Sequence, residues 1–182
     1  MLKDIVIIDD VLENPDELVE YSRELKYYKQ SPVSGTIWTG ERTLDLFDID
    51  KNKSTILMNS IFDKLFRGGS LAYKYSWISN LYFHKISGDL VIDDEAHHTD
   101  DPHIYSGVVY LNKDPKKLSG TVLFKDGKEI IIENKYNRLA LFNSHILHSP
   151  VSGFGKDENS RLTLTMFITE LDLNVSVANT ER

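Results

Sequence analysis

The 182-residue chain contains no cysteine, which excludes disulfides, thiolate metal sites and cysteine nucleophiles together. Any metal must therefore sit on nitrogen and oxygen donors, while the lack of cysteine identifies no compartment. Basic residues are the minority charge, 21 against 28 acidic, for a formal charge of −7. They are scattered, and the densest run, Lys113 to Lys117, reads as a solvated turn between two strands. A duplex-binding surface is not expected, so no nucleic-acid partner is assigned. Long hydrophobic runs are also missing. The opening "MLKDIVIIDDVL" is cut by Asp9 and Asp10 and is too short and acidic for a signal peptide or membrane span. The expected location is cytoplasmic, with no membrane partner. Repeats and low-complexity linkers are absent as well.

What is present is an ordinary globular balance, 41% apolar and 27% charged, in a length that suits one domain with a sizeable core. "DIVIIDDVL" reads as a strand. "ENPDELVEYSRELKYY" reads as a helix, with Pro15 near its start and acids in its first turn. "STILMNSIFDKLFRGG" repeats the helical signature, with Ser54 as the expected cap and Gly68 and Gly69 as the stop. From about Tyr73 the pattern becomes short β-rich runs divided by turn residues: "YSWISNLYFHKI", "DLVID", "YSGVVYLN", "GTVLF", "EIIIE", "RLALFNS" and "RLTLTMFIT". Such spacing indicates an antiparallel sandwich or jelly roll. The expected fold is α+β and mainly β, with the N-terminal helices covering one sheet face. Residues 1–72 would support a core at 73–170, and 171–182 would be a loosely held tail.

"EAHHTDDPH", residues 95–103, packs three histidines and three carboxylates into nine positions. Two histidines and a carboxylate on one face, with the remaining positions open, suit an Fe(II) that must also bind substrate and dioxygen. His98-x-Asp100 supplies two such ligands on one side of an extended segment, because side chains alternate with period two. The third has two candidates, His145 and His148, which three-residue spacing sends to opposite faces of a regular strand. Farther on, Arg161, Thr163 and Thr165 share one strand face and Leu162, Leu164 and Met166 the other. An arginine at an inward position calls for an anion.

His98-x-Asp100, a distal histidine, and Arg161-x-Thr163 on a final strand resemble the Fe(II)/2-oxoglutarate-dependent dioxygenases over about residues 77–168. "HHTDDPHIYSGVVYLN", "NRLALFNSHILHSPVSGF" and "SRLTLTMFI" look most like the prolyl-hydroxylase-like branch, including its small bacterial and phage members. The turn in "LHSPVSG" matches that pattern at His148 better than "SHIL" does at His145. The resemblance implies a double-stranded β-helix with Fe(II) on His98, Asp100 and His148. It further implies 2-oxoglutarate held by Arg161 and Thr163, Tyr82 as a further cosubstrate contact, and dioxygen-dependent hydroxylation of a C–H bond. A peptide or amino-acid substrate is the direction it points, within a broader class of small-molecule or peptide substrates.

Bland readings accompany these. His97 and His103 suit surface or hydrogen-bonding roles, and Asp94, Glu95 and Asp101 a solvated acidic turn, with Glu95 or Asp101 able to orient a ligating histidine. Arg42, in "WTGERT", is a candidate substrate contact, with an ordinary ion pair as the alternative. The metal residues alone also fit a non-catalytic jelly-roll binding protein or a cupin-like metalloenzyme without 2-oxoglutarate. Arg161-x-Thr163 argues against both.

Overall fold

A computed structural model describes residues 3–66, 73–116 and 118–175. Thirteen regular elements follow one another: β1 (Ile5–Ile8), α1 (Pro15–Arg23), β2 (Tyr28–Gln30), β3 (Ile37–Arg42), α2 (Leu46–Ile49), α3 (Lys51–Phe66), β4 (Tyr73–Ile86), β5 (Tyr105–Tyr110), β6 (Thr121–Lys125), β7 (Lys128–Ile132), β8 (Leu139–Asn143), β9 (Leu147–Pro150) and β10 (Arg161–Val175). The strands form a seven-stranded sheet, ordered β1-β8-β5-β10-β4-β3-β2, and a three-stranded sheet, ordered β7-β6-β9. All pairs are antiparallel.

The period-two alternation of β10 organises the interior. Leu162, Leu164, Met166 and Ile168 face the helices, where they join Leu18 of α1 and Met58, Ile61 and Phe62 of α3 in one buried cluster. The α3 residues recur at helical spacing on one side, so this helix lays an apolar stripe on the large sheet. Burying each such side chain contributes about 1.5–3 kcal/mol. On the opposite face of the large sheet, Tyr110, Ala140 and Phe142 meet Leu123 and Ile132 of the small one. The double-stranded β architecture with helices on one outer face matches the expectation.

Local chemistry explains the boundaries. Pro15 stands in the first turn of α1, with Asp16 and Glu17 beside it and Arg23 in the last turn, each favourable to the helix dipole. α1 is shorter than expected: Tyr28 already belongs to β2, because its partner Arg42 on β3 claims the backbone. The second helix is preceded by a short turn capped by Asp45, whose side chain accepts from Phe47 N. It then begins at Lys51, and Asp50 accepts from Lys53 N at 3.0 Å. Ser54 therefore lies inside the helix, donating back to the Asp50 carbonyl at 2.8 Å; Asp50 serves where Ser54 was expected. Gly68 and Gly69 lie outside the described residues.

Two further differences concern strands. "DLVID" is not a strand: it has no pairing partner, and Val91 is 82% exposed. Conversely, β10 continues through Val175 against Tyr73 of β4. The start of the expected tail, 171–175, is thus paired strand, and 176–182 lie outside the described residues. "KDG" forms the β6–β7 hairpin as expected, with Asp126 and Gly127 both at positive φ, the backbone that two-residue hairpins require. No helix among the described residues is long and apolar enough to cross a membrane.

Candidate active site

His98 lies outside the named strands but forms a bridge with His148 of β9, N to O at 3.0 and 2.9 Å in the two directions. That bridge extends the edge of the small sheet and brings the two rings to 4.5 Å between centroids. Asp100 is fixed by its own backbone, N to the Ser144 carbonyl at 3.0 Å. Its Oδ1 lies 3.5 Å from His98 Nε2, and its Oδ2 lies 3.1 Å from His148 Nε2. The three potential donor atoms lie within 4.8 Å of one another.

Both rings are oriented from behind. His98 Nδ1 meets the Ala96 carbonyl at 2.8 Å and His148 Nδ1 the Ile146 carbonyl at 2.9 Å. A carbonyl only accepts, so each Nδ1 carries the proton, and in the neutral rings both Nε2 lone pairs point at the carboxylate. Burial pulls His98 below the ordinary imidazole range, favouring that neutral form. Burial works to raise the Asp100 carboxyl, and the hydrogen bond from Ser106 is among the interactions that nonetheless hold the group below the usual carboxylate range. Ser106 donates to Asp100 Oδ2 at 2.6 Å and touches Ser144 Oγ at 3.0 Å. Two imidazole Nε2 atoms and a carboxylate converging in this way can share one cation among them. The donor set fits a divalent metal.

An inner cavity of about 370 Å³ opens from this cluster and is lined by Arg161, Thr163, Thr165 and Thr121 as well as the triad. Arg161 is 2% exposed, with Nε donating to the Ser119 carbonyl at 2.6 Å and Nη2 to the Gly120 carbonyl at 3.2 Å. Among the described residues no carboxylate pairs with it. Tyr110 lies beside it, ring centroid 5.6 Å from the guanidinium carbon, its hydroxyl donating to Thr121 Oγ1 at 2.8 Å. Burial lowers the Arg161 pKa, and Tyr110 opposes this. The fork is aligned by two carbonyls, and an anion in the cavity would supply the missing charge.

An outer cavity of about 460 Å³ shares Trp38, Arg42, Asp100 and Phe167 with the inner one. Tyr82 lines this outer cavity and packs on Phe167 with centroids 6.0 Å apart. The expected cosubstrate contact Tyr82 thus lines the outer cavity, while the tyrosine beside Arg161 is Tyr110. Burial pushes the Tyr82 phenol up to about 12, with Asp45 adding to the shift. His84, next inward on β4, donates from Nε2 to the Thr39 carbonyl at 2.6 Å. Its pKa lies well below the ordinary value through burial and then Arg42.

The remaining residues take the bland roles. His145 is exposed and meets Asp101 through Nδ1, so it stands apart from the cluster. His97 packs on Phe124 at 4.6 Å, and His103 meets Thr169 Oγ1 at 3.0 Å. Backbone carbonyls orient the two clustered histidines, in place of the expected Glu95 or Asp101. Sequence reasoning missed Ser106, Tyr110 and Thr121. Ser106 and Tyr110 share strand parity, which the sequence shows, but their facing partners come from elsewhere in the chain.

No protein-family model matches the chain, and no curated protein matches it. Solved structures do. A prolyl 4-hydroxylase from Pseudomonas putida is 19% identical, with TM-score 0.59, covering 92% of this chain and 93% of its own. A prolyl hydroxylase from Trichoplax adhaerens, in complex with a hypoxia-inducible-factor peptide, is 14% identical, with TM-score 0.60 and coverage of 91% and 83%. HygX from Streptomyces hygroscopicus, with nickel and 2-oxoglutarate bound, is 9% identical, with TM-score 0.59 and coverage of 91% and 82%. The chain has the fold of the 2-oxoglutarate and Fe(II) oxygenases, prolyl hydroxylases among them.

Proposed function

We propose that the protein is an Fe(II)- and 2-oxoglutarate-dependent dioxygenase that hydroxylates a C–H bond of a peptide or amino-acid type substrate. The observation that carries the reading is Arg161, a buried guanidinium that no carboxylate pairs with among the described residues, lining the same cavity as His98, Asp100 and His148. A jelly-roll binding protein or a cupin-like metalloenzyme has no use for that charge.

His98, Asp100 and His148 would hold the metal through two imidazole Nε2 atoms and a carboxylate, leaving other positions open. Arg161 would receive the distal carboxylate of 2-oxoglutarate, and Thr163, two residues along the same strand face, would add a hydroxyl. When bound, Fe(II) with 2-oxoglutarate and dioxygen supplies the chemistry: one oxygen atom enters the substrate C–H bond and the other enters succinate as carbon dioxide leaves. Ser106 keeps Asp100 aimed through its hydrogen bond, and the Ala96 and Ile146 carbonyls, accepting from Nδ1, leave both Nε2 atoms to face the metal position. Low dielectric around Arg161 strengthens its hold on an anion.

Anaerobic titration of the Fe(II)-loaded protein with 2-oxoglutarate tests the reading. The weak visible charge-transfer band of a chelated 2-oxoacid is expected, and succinate should form on admitting air. Iron binding without that band would leave a metal protein of the cupin kind.

A further inference from the structure

Arg42 is the second cation of the site and the less satisfied one. Its guanidinium carbon lies 5.7 Å from the Trp38 ring centroid and 5.5 Å from that of Phe167. The two aromatic contacts hold the planar group in place. Its Nε is sealed from water without an acceptor, and among the described residues the guanidinium makes no hydrogen bond or ion pair, Asp100 being the carboxylate whose charge acts on it from a distance. A guanidinium carries five N–H donors. Buried donors without partners are rare enough in folded proteins to require an explanation, and a ligand is the simplest one.

Its position decides which ligand. On β10, Arg161 and Phe167 are six residues apart, about 20 Å along a strand. Arg161 lines the inner cavity, while Arg42, whose backbone pairs with His84 and through it lies level with Thr163, sends its guanidinium along the strand to Phe167, which is level with Ser106 and hence with Asp100. Arg42 lines both cavities, so it marks the boundary between the cosubstrate's space and the outer chamber. Beyond it the charge reverses: besides Asp100 the chamber is lined by the carboxylates of Asp45, Asp48 and Asp101, the last in contact with His145, with Tyr82, Trp38 and His103 alongside. Asp45 accepts from neutral donors, Asn80 Nδ2 at 2.6 Å, Phe47 N at 3.1 Å and Leu81 N at 3.2 Å, and no cation pairs with it among the described residues.

From this order, cation by the metal residues and anions outward, we infer that the substrate is a free α-amino acid whose carboxylate is gripped by Arg42 and whose ammonium lies toward Asp45 and Asp48. This rests on the proposed function and deepens it. A residue within a peptide has both its amine and its carboxyl tied up as amides, and so matches neither charge. A simple dicarboxylate would satisfy Arg42 but meet repulsion from the outer aspartates.

The test uses the twenty proteinogenic L-amino acids, each beside its carboxamide and its N-acetyl derivative. Binding is read by calorimetry on Zn(II)-substituted, 2-oxoglutarate-bound protein, and turnover by succinate release from the Fe(II) protein. At least one free amino acid should bind and stimulate succinate release. Neutralising either end should weaken it about tenfold to a hundredfold, the loss expected for one charge-assisted contact. Arg42→Gln should lose amino-acid binding while 2-oxoglutarate affinity stays within about twofold, and Arg42→Lys should recover part of it. The comparison of derivatives on the unaltered protein needs no variant to fold. No binding by any free amino acid, an amide or N-acetyl form binding as well as its parent, or Arg42→Gln weakening 2-oxoglutarate as Arg161→Ala does would each overturn the inference. Absence of the 2-oxoglutarate charge-transfer band would instead remove the reading beneath it.

Discussion

His98 and His148 exchange two backbone hydrogen bonds, at 3.0 and 2.9 Å, across a separation of fifty residues. The bridge sets the distance between their rings independently of any ligand. A site whose backbone is already aligned loses little entropy on taking up a metal.

The first prediction separates neighbours in sequence. His148→Ala and Asp100→Ala should bring iron content close to background, whereas His145→Ala and Asp101→Ala should leave it nearly intact, because those two pair with each other at the surface. Metal analysis after dialysis distinguishes the four, and equal loss in both pairs would refute the assignment.

Arg161→Ala should spare iron and weaken 2-oxoglutarate by about 2–5 kcal/mol, the usual loss for one half of a buried charge-assisted pair. Arg161→Lys should recover only part, since the ammonium keeps the charge but not the fork. Titration of the Fe(II) protein measures both, and unchanged affinity in the alanine variant would defeat the cosubstrate role.

Ser106 touches no metal position directly but donates to Asp100 at 2.6 Å. Ser106→Ala should retain the fold and lower metal affinity about tenfold to a hundredfold, the usual effect of losing a partner behind a ligand. Competition with a chelator gives the number, and wild-type affinity would show that the Ser144 backbone alone suffices to hold Asp100.

Gly120 has no room for a side chain: an added Cβ would lie 1.8 Å from the Ile132 carbonyl oxygen. Its own carbonyl accepts from Arg161 Nη2. Gly120→Ala should cost about 1–3 kcal/mol of stability by forcing the backbone to shift and should weaken 2-oxoglutarate as well, by displacing that carbonyl. Thermal melting with cosubstrate titration reads the two effects, and a melt like that of the wild type would contradict the close approach.

Asp9 joins β1's end to the β7–β8 connection, meeting Arg138 Nε at 2.6 Å and Lys135 Nζ at 2.7 Å. Hydrogen bonds from Arg138 and then Lys135 hold its carboxyl far below the ordinary range. A depressed folded-state pKa adds stability that is complete above the unfolded value and is lost as the pH falls through the folded one. The carboxylate is partly exposed, so screening limits the contribution to about 1 kcal/mol. Asp9→Asn should lower the melting temperature at pH 7, and the gap should close as the pH falls well below 4. A gap independent of pH would show that packing, not charge, sets it.

Much of this was legible locally. Cysteine's absence restricted any metal to nitrogen and oxygen donors, and strand periodicity placed Arg161, Thr163 and Thr165 on one face of β10. His98-x-Asp100 put two donors on one side of an extended segment. These follow from side-chain chemistry and from the period of a strand, which adjacent residues determine by themselves. What no local pattern decided was register between strands. It places Tyr110, not Tyr82, beside Arg161, brings Ser106 to Asp100, and carries Arg42 to the metal residues from a strand far earlier in the chain. Likewise, "DLVID" has strand composition but no partner, and composition cannot supply one. Parity belongs to a single strand, whereas pairing is fixed only when distant segments pack, so the facing residues of a site emerge with the tertiary structure.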